Sequence, residues 1–198
     1  MEQLKQRILA EGRALNADML LVDSFLNHQV DVALMRDIGA EFARHFAGCG
    51  ADRVVTVESS GIAPAAMTAL AMHLPLVVLK KQARTEREDV WQTTVQSFTK
   101  GTAYELTLKR AFMPAGARVL LIDDFLASGE AALGVRALLG LAGATLCGIG
   151  IVIEKAFQPG HRRLTELGCD VYSLARIAAM GPEGITFAED ECGACAAY

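Results

Sequence analysis

Two periods of apolar residues organise most of this chain. Residues 2–11 (EQLKQRILAE) and 31–47 carry apolar positions at helical spacing and read as amphipathic helices. The stretch between them, DMLLVDSFLNHQVD (18–31), mixes apolar and polar residues without a clean period. From residue 53 the pattern changes. RVVTV (53–57) reads as a buried strand, 62–73 as a helix and PLVVL (75–79) as the next strand. That is a βαβ unit, whose right-handed crossover places both strands in a parallel sheet. Strands at 117–122, 145–153 (TLCGIGIVI) and near 170–175 follow, with helices at 130–142 and near 160–167 between them. Such alternation predicts an α/β fold: a doubly wound, mainly parallel sheet flanked by helices. The 198 residues suffice for one domain around that sheet.

Residues 80–105, KKQARTEREDVWQTTVQSFTKGTAYE, break the alternation, being polar, charged and long. A loop of this length inside a compact domain is usually functional or mobile. A solvated β-hairpin fits the composition equally well, and a hairpin can itself serve as a lid.

The most informative stretch is VLLIDDFLASGEA (119–131). Its apolar run reads as a parallel strand, with Asp123 and Asp124 at the end of it. The small residues Ala127, Ser128 and Gly129 follow, and a helix opens near Glu130. In open α/β sheets ligands bind beyond the carboxyl ends of the strands. Free N–H groups and the dipole of the helix start favour an anion there, and small side chains let backbone approach phosphate closely. An ionised carboxylate only accepts hydrogen bonds, which suits the hydroxyls of a sugar. The parts together read a ribose 5-phosphate. Taken alone, the same residues would also serve as an ordinary turn with an aspartate capping the helix.

A second strand-loop-helix repeats the logic. Val57 leads into Glu58, Ser59, Ser60 and Gly61 before the helix near Ile62. Serine hydroxyls and N–H groups there suit a second anion, although a serine-capped helix has the same sequence. Lys80 and Lys81, at the end of the following strand, are placed to neutralise it.

Charge and cysteines narrow the class. A net charge of −4 argues against a sequence-independent nucleic-acid binder, which needs a basic face. No uncharged apolar run reaches membrane-spanning length, and the N-terminus lacks the apolar core of a signal peptide, so the expected location is cytoplasmic. Five cysteines are odd in number and scattered; Cys192 and Cys195 form a lone C-x-x-C with no second pair to complete a zinc site. The histidines, at 28, 45, 73 and 161, have no metal spacing, so no protein-held metal site is expected.

The run 119–131 resembles the phosphoribosyl diphosphate (PRPP) signature of the type I phosphoribosyltransferase family. VDSFLNHQ (22–29), VESSGIAPA (57–65), VQSFTK (95–100) and GIGIVIEKAFQPG (148–160) extend the likeness to bacterial xanthine phosphoribosyltransferases, from Met1 to about Phe187. The resemblance implies a single domain with an N-terminal hood at about 1–30 and a flexible lid at about 84–103. The tail from about 188 has no counterpart. It implies PRPP binding by Ala127, Ser128, Gly129, Glu130 and Ala131. It implies diphosphate binding by the loop of Ser59, Ser60 and Gly61 with Lys80 and Lys81. It assigns catalytic roles to Asp123 and Asp124, and purine contacts to Leu20, Asn27 and Lys155. Ser128 and Glu130 stand where relatives carry other small or polar residues.

The implied reaction is displacement at ribose C1 by purine N9 with loss of diphosphate, giving xanthosine 5′-monophosphate in purine salvage. Mg²⁺ would travel with PRPP, held largely by substrate oxygens. Ala127 argues against the hypoxanthine–guanine branch, which usually carries an aspartate there. Lys155, which can only donate, favours a 6-oxo group over the 6-amino group of adenine. The remaining alternatives are an adenine phosphoribosyltransferase and a PRPP-sensing purine-operon regulator. The second is disfavoured because the pattern begins almost at residue 1, leaving no DNA-binding domain. A homodimer is expected, with Val30, Val32, Leu34, Met35 and Ile38 offering apolar surface that core packing would explain equally well.

Overall fold

The structure, a computed structural model, describes residues 1–82, 88–97 and 102–188. Helix α1 (Glu2–Glu11) leads into a two-stranded antiparallel ribbon, β1 (Arg13–Ala14) and β2 (Leu20–Leu21). A π-helical turn, Asp23–Asn27, follows. Helix α2 (Val32–His45) starts where the Asp31 side chain caps the Leu34 N–H at 3.0 Å. Then come β3 (Arg53–Val57), α3 (Ile62–Met72), β4 (Leu76–Gln82), β5 (Val90–Ser97) and β6 (Thr102–Lys109). The chain continues through β7 (Arg118–Leu126), α4 (Glu130–Leu141), β8 (Thr145–Lys155), α5 (Gly160–Glu166), β9 (Val171–Gly181) and β10 (Gly184–Phe187).

The main sheet runs β10-β9-β8-β7-β3-β4-β6-β5. Its five central strands are parallel, and the antiparallel pairs lie at the two edges. Side-chain alternation splits the core in two. Leu120 and Ile122 of β7 face Phe42 of α2, Ala69 of α3 and Leu4 and Ile8 of α1. Val119 and Leu121 face Val135 and Leu138 of α4 and Leu164 of α5. The doubly wound α/β architecture is therefore the one that the alternation of periods predicts.

The structure differs from the sequence reading at strand ends. β7 runs on to Leu126, so Asp123 and Asp124 lie within the strand rather than after it. The ladder with β8 continues past the apolar run, pairing Asp123 with Ile151 and Leu126 with Glu154, because backbone pairing does not require apolar side chains. Strands β5 and β6 pair antiparallel at the sheet edge, Val90 with Lys109 and Trp91 with Leu108. Val95 of β5 is buried, and a Cβ placed on Gly134 of α4 would meet it at 2.4 Å. Parts of the expected lid (84–87 and 98–101), and the tail from 189 with Cys192 and Cys195, fall outside the described residues. Leu34, Met35 and Ile38, offered as interface residues, are buried in the protomer's own core, whereas Val32 is 61% exposed. Among the described residues no helix is long and apolar enough to cross a membrane.

Candidate active site

Strands β3 and β7 lie side by side and parallel, but the chain leaves them in opposite directions. It passes from β3 to β4 on one side and from β7 to β8 and β9 on the other. The loops beyond their carboxyl ends diverge, and a crevice opens at this switch point. It has two adjoining lobes of about 850 and 440 Å³, with Lys81, Asp123, Phe125 and Ala131 on the wall of both.

The loop after β3 borders the smaller lobe with Glu58, Ser59 and Ser60, facing Asp124. Gly61 lies directly against β7. A Cβ on it would come within 2.4 Å of Thr56 Oγ1 and 2.7 Å of Asp123 Oδ1, so only glycine lets the loop sit on the aspartate. The Glu58 carboxylate accepts from Lys80 Nζ at 3.0 Å and from the Lys81 N–H at 2.6 Å. Burial would raise its pKa, yet these partners hold it below the usual carboxylate value. Lys80 and Lys81 therefore part company. Lys81 reaches both lobes, while Lys80 pairs with Glu58 and lines neither. Consecutive residues of a strand point to opposite faces, which two adjacent lysines in a sequence do not reveal.

All five residues of the loop after β7, Ala127 to Ala131, border the larger lobe. Gly129 turns the chain with φ 85°, a left-handed conformation that glycine adopts without strain. Helix α5 braces this loop from behind. The Gly160 N–H donates to Ala127 O at 3.0 Å, and Arg163 Nη1 donates to Ser128 O at 2.7 Å and Glu130 Oε1 at 2.5 Å. A Cβ on Gly160 would strike Ala127 O at 2.3 Å and Gly129 N at 2.8 Å.

The two aspartates are not equivalent. Asp123 is 7% exposed and accepts the Asp124 N–H at 3.1 Å. Burial, reinforced by the neighbouring Asp124 charge, pushes its pKa well above the usual carboxylate range. Asp124 is half-buried and opens into the smaller lobe.

At the other end of the larger lobe, Lys155 closes β8. Its Nζ donates to the backbone carbonyl of Asp18 and lies 5.7 Å from the centre of the Phe125 ring. Burial pushes its pKa below that of an ordinary lysine, with the Asp18 charge opposing. The preceding Glu154 is buried at 1% exposure and held by His161 Nδ1 at 2.9 Å, Ser173 Oγ at 2.5 Å and Arg176 Nε at 3.3 Å. Burial alone would raise its pKa, but these partners keep it low.

Leu20 and Asn27 do not border the crevice. Leu20 is 7% exposed in the core, and Asn27 ends the π-helical turn in an exposed position. The hood reaches the site instead through Asn16 to Met19, a turn in which Asn16 Oδ1 accepts the N–H groups of Asp18 and Met19 at 2.8 and 2.9 Å. The Asn-Ala-Asp sequence is an available turn signal. Gln96 of β5, Tyr104 of β6 and Arg163 of α5 also line the larger lobe; Gln96 belongs to the expected lid, and no motif in the sequence marks Tyr104 or Arg163.

The phosphoribosyl transferase domain family matches residues 22–174. The chain is 57% identical over 188 residues to the xanthine phosphoribosyltransferase of Clostridium acetobutylicum, covering 94% of this chain and 100% of that one. It is 53% identical to the enzyme of that name from Agathobacter rectalis, over 96% of this chain and 100% of the other. Among solved structures it resembles adenine phosphoribosyltransferase from Giardia lamblia complexed with 9-deazaadenine, with a TM-score of 0.73 at 19% identity over 87% of this chain and 97% of that one. The adenine enzyme from Thermoanaerobacter pseudethanolicus gives a TM-score of 0.71 at 18% identity, over 87% and 99%. At such identity the structural likeness speaks for the fold alone. From the matched family and these sequence relatives, the chain belongs to the phosphoribosyltransferase family, in the branch that contains these xanthine phosphoribosyltransferases.

Proposed function

We propose that this chain transfers the 5-phosphoribosyl group of PRPP to N9 of xanthine, releasing diphosphate and xanthosine 5′-monophosphate. The observation that carries the reading is spatial. Two loops suited to anions and one lysine that can only donate surround a single connected crevice. Residues 127–131 cradle the 5-phosphate through backbone N–H groups at the start of α4. Ser59, Ser60 and Gly61 hold the diphosphate, whose charge Lys81 offsets as it leaves. Asp124 accepts from the ribose hydroxyls. Asp123 shares that task mainly by fixing the Gly61 loop, against which its carboxyl lies.

Lys155 donates to the purine 6-oxo group, and Phe125 beside it offers a ring face to the base. Leu20 acts from behind, since it anchors the ribbon next to Met19 in the crevice wall. Asn27 lies farther out on the hood and influences base choice through that segment. Nucleophile and C1 are held in line, so most of the rate gain comes from positioning and charge stabilisation.

Mg²⁺ would enter with PRPP, held largely by diphosphate and ribose oxygens, with the half-buried Asp124 carboxylate facing the smaller lobe beside it. When bound with PRPP it neutralises charge on the leaving diphosphate. The expected lid acts as a cover over the crevice, a role supported by its described residue Gln96 on β5 and by Tyr104 on the adjoining β6, both on the crevice wall. The enzyme works as a cytoplasmic homodimer. Of the five apolar residues expected at the interface, Val30 and Val32 are exposed and support the dimer, and sedimentation of a fully active monomer would refute it. The reaction is tested by incubating the protein with PRPP, Mg²⁺ and xanthine. Equimolar diphosphate and xanthosine 5′-monophosphate are expected, and hydrolysis of PRPP without nucleotide would refute the transfer.

A further inference from the structure

The wall of the larger lobe carries three acids, Asp18, Asp123 and Glu130, and three bases, Lys81, Lys155 and Arg163. A substrate bearing both a phosphate and a diphosphate must meet the bases of this wall and avoid its acids, so the placement of each charge matters. Glu130 is placed adversely. It occupies the first turn of α4, among residues 127–131 that border the crevice. An ionised carboxylate there repels a phosphate dianion and competes for the same helix-terminal donors.

Arg163 answers both difficulties. One of its nitrogens, Nη1, reaches Glu130 Oε1 at 2.5 Å and Ser128 O at 2.7 Å. The side chains of Arg163 and Glu130 are 37% and 23% exposed, so water screens this pair less than a surface pair. Its charge cancels that of Glu130. Its bond to the Ser128 carbonyl fixes that peptide against α5. Gly160, three residues earlier on α5, ties Ala127 O in the same way.

We propose that Arg163 is a positioning residue of the 5-phosphate loop: it neutralises Glu130 and fixes Ser128, leaving the loop's N–H groups free for phosphate. The proposal rests on the reading of residues 127–131 as the site of the PRPP 5-phosphate. Glu130 is an acid at a position where backbone donors do the binding, and it makes a distant arginine necessary.

A double-mutant cycle on the full chain tests this, with KM for PRPP and KM for xanthine measured separately in wild type, E130Q, R163M and E130Q/R163M. R163M should raise KM for PRPP at least about tenfold, while kcat and KM for xanthine move less than about threefold. E130Q alone should lower KM for PRPP, and the double variant should recover most of the loss seen in R163M, falling short of wild type by what the bond to Ser128 contributes. An unchanged KM for PRPP in R163M overturns the proposal. A double variant as impaired as R163M also overturns it, since Arg163 would then not act by neutralising Glu130. Should R163M fail to fold, E130Q still decides, because weaker PRPP binding in E130Q contradicts the proposal. Failure of wild type to consume PRPP removes the functional reading itself, a separate outcome that takes the proposal with it.

Discussion

Lys155 Nζ and the backbone carbonyl of Asp18, 137 positions apart in sequence, are joined by a hydrogen bond across the mouth of the larger lobe. The bond ties the carboxyl end of β8 to the N-terminal hood and holds the ammonium inside the crevice. A purine that accepts from Lys155 at O6 replaces or shares this contact.

Lys155→Ala is expected to raise KM for every 6-oxopurine by one to two orders of magnitude, ~10–100-fold, because a site built around a donor rejects what cannot use it. KM for PRPP should change far less. Because burial lowers the Lys155 pKa, the charged donor is lost at a lower pH than for an ordinary lysine. KM for xanthine in wild type should therefore rise on the alkaline side, and in Lys155→Ala that rise should be absent. Steady-state kinetics across pH checks both statements.

Asp124→Asn should lower kcat/KM for PRPP by roughly 10–100-fold through loss of a charge-assisted bond to the ribose. Asp123→Asn should also impair activity, but with an opposite effect on stability. The Asp123 pKa is raised on folding, so the folded state binds more protons than the unfolded one above the ordinary carboxylate value. Its contribution to stability is complete at low pH and is lost as pH rises through the folded-state pKa. Asp123→Asn should therefore raise the Tm at neutral pH and flatten this fall. Thermal unfolding of both proteins across pH checks it, and a lower Tm for Asp123→Asn at neutral pH contradicts it.

Gly160→Ala should weaken PRPP binding without removing any side chain from the crevice. Its Cβ would meet Ala127 O and Gly129 N, backbone atoms of the phosphate loop that can yield only by moving the loop. Gly140→Ala is the control. It lies in α4 with nothing within 4 Å of an added Cβ, and should stabilise the protein by about 0.5–1 kcal/mol. Equal PRPP kinetics in the two variants would rule out the brace from α5.

The cover over the crevice is best followed from Gln96, which lines the larger lobe. Trp91 sits at the other end of β5, stacked 3.7 Å from the Arg110 guanidinium. In a Trp91→Phe background, Gln96→Trp should change emission when PRPP and an unreactive purine analogue bind together. Emission that ignores both ligands contradicts a closing cover.

Much of this was legible in the sequence because the fold is written in apolar runs. RVVTV, VLLI and GIGIVI are buried on both faces of the sheet and need no tertiary information to be read as parallel strands. The loop 127–131 was legible for a similar reason, since small residues between a strand and a helix leave few other structures. The strand ends were not. Asp123 and Asp124 continue β7 through backbone pairing that their side chains do not signal. The difference between Lys80 and Lys81 depends on which face of β4 each occupies. The parts of the crevice contributed from afar, Asn16 to Met19, Tyr104 and Arg163, meet only through the folded topology. No spacing in the chain brings Arg163 to Ser128 and Glu130.

Recognition of the base turns on the group it carries at C6. The most direct test is kcat/KM for xanthine, guanine, hypoxanthine and adenine, each with saturating PRPP and Mg²⁺, followed by diphosphate release. A donor-only lysine at the base end predicts turnover of the 6-oxopurines, xanthine, guanine and hypoxanthine, and rejection of adenine, which offers an amino group where Lys155 requires an acceptor. Preference for adenine, or equal use of adenine and xanthine, would contradict it.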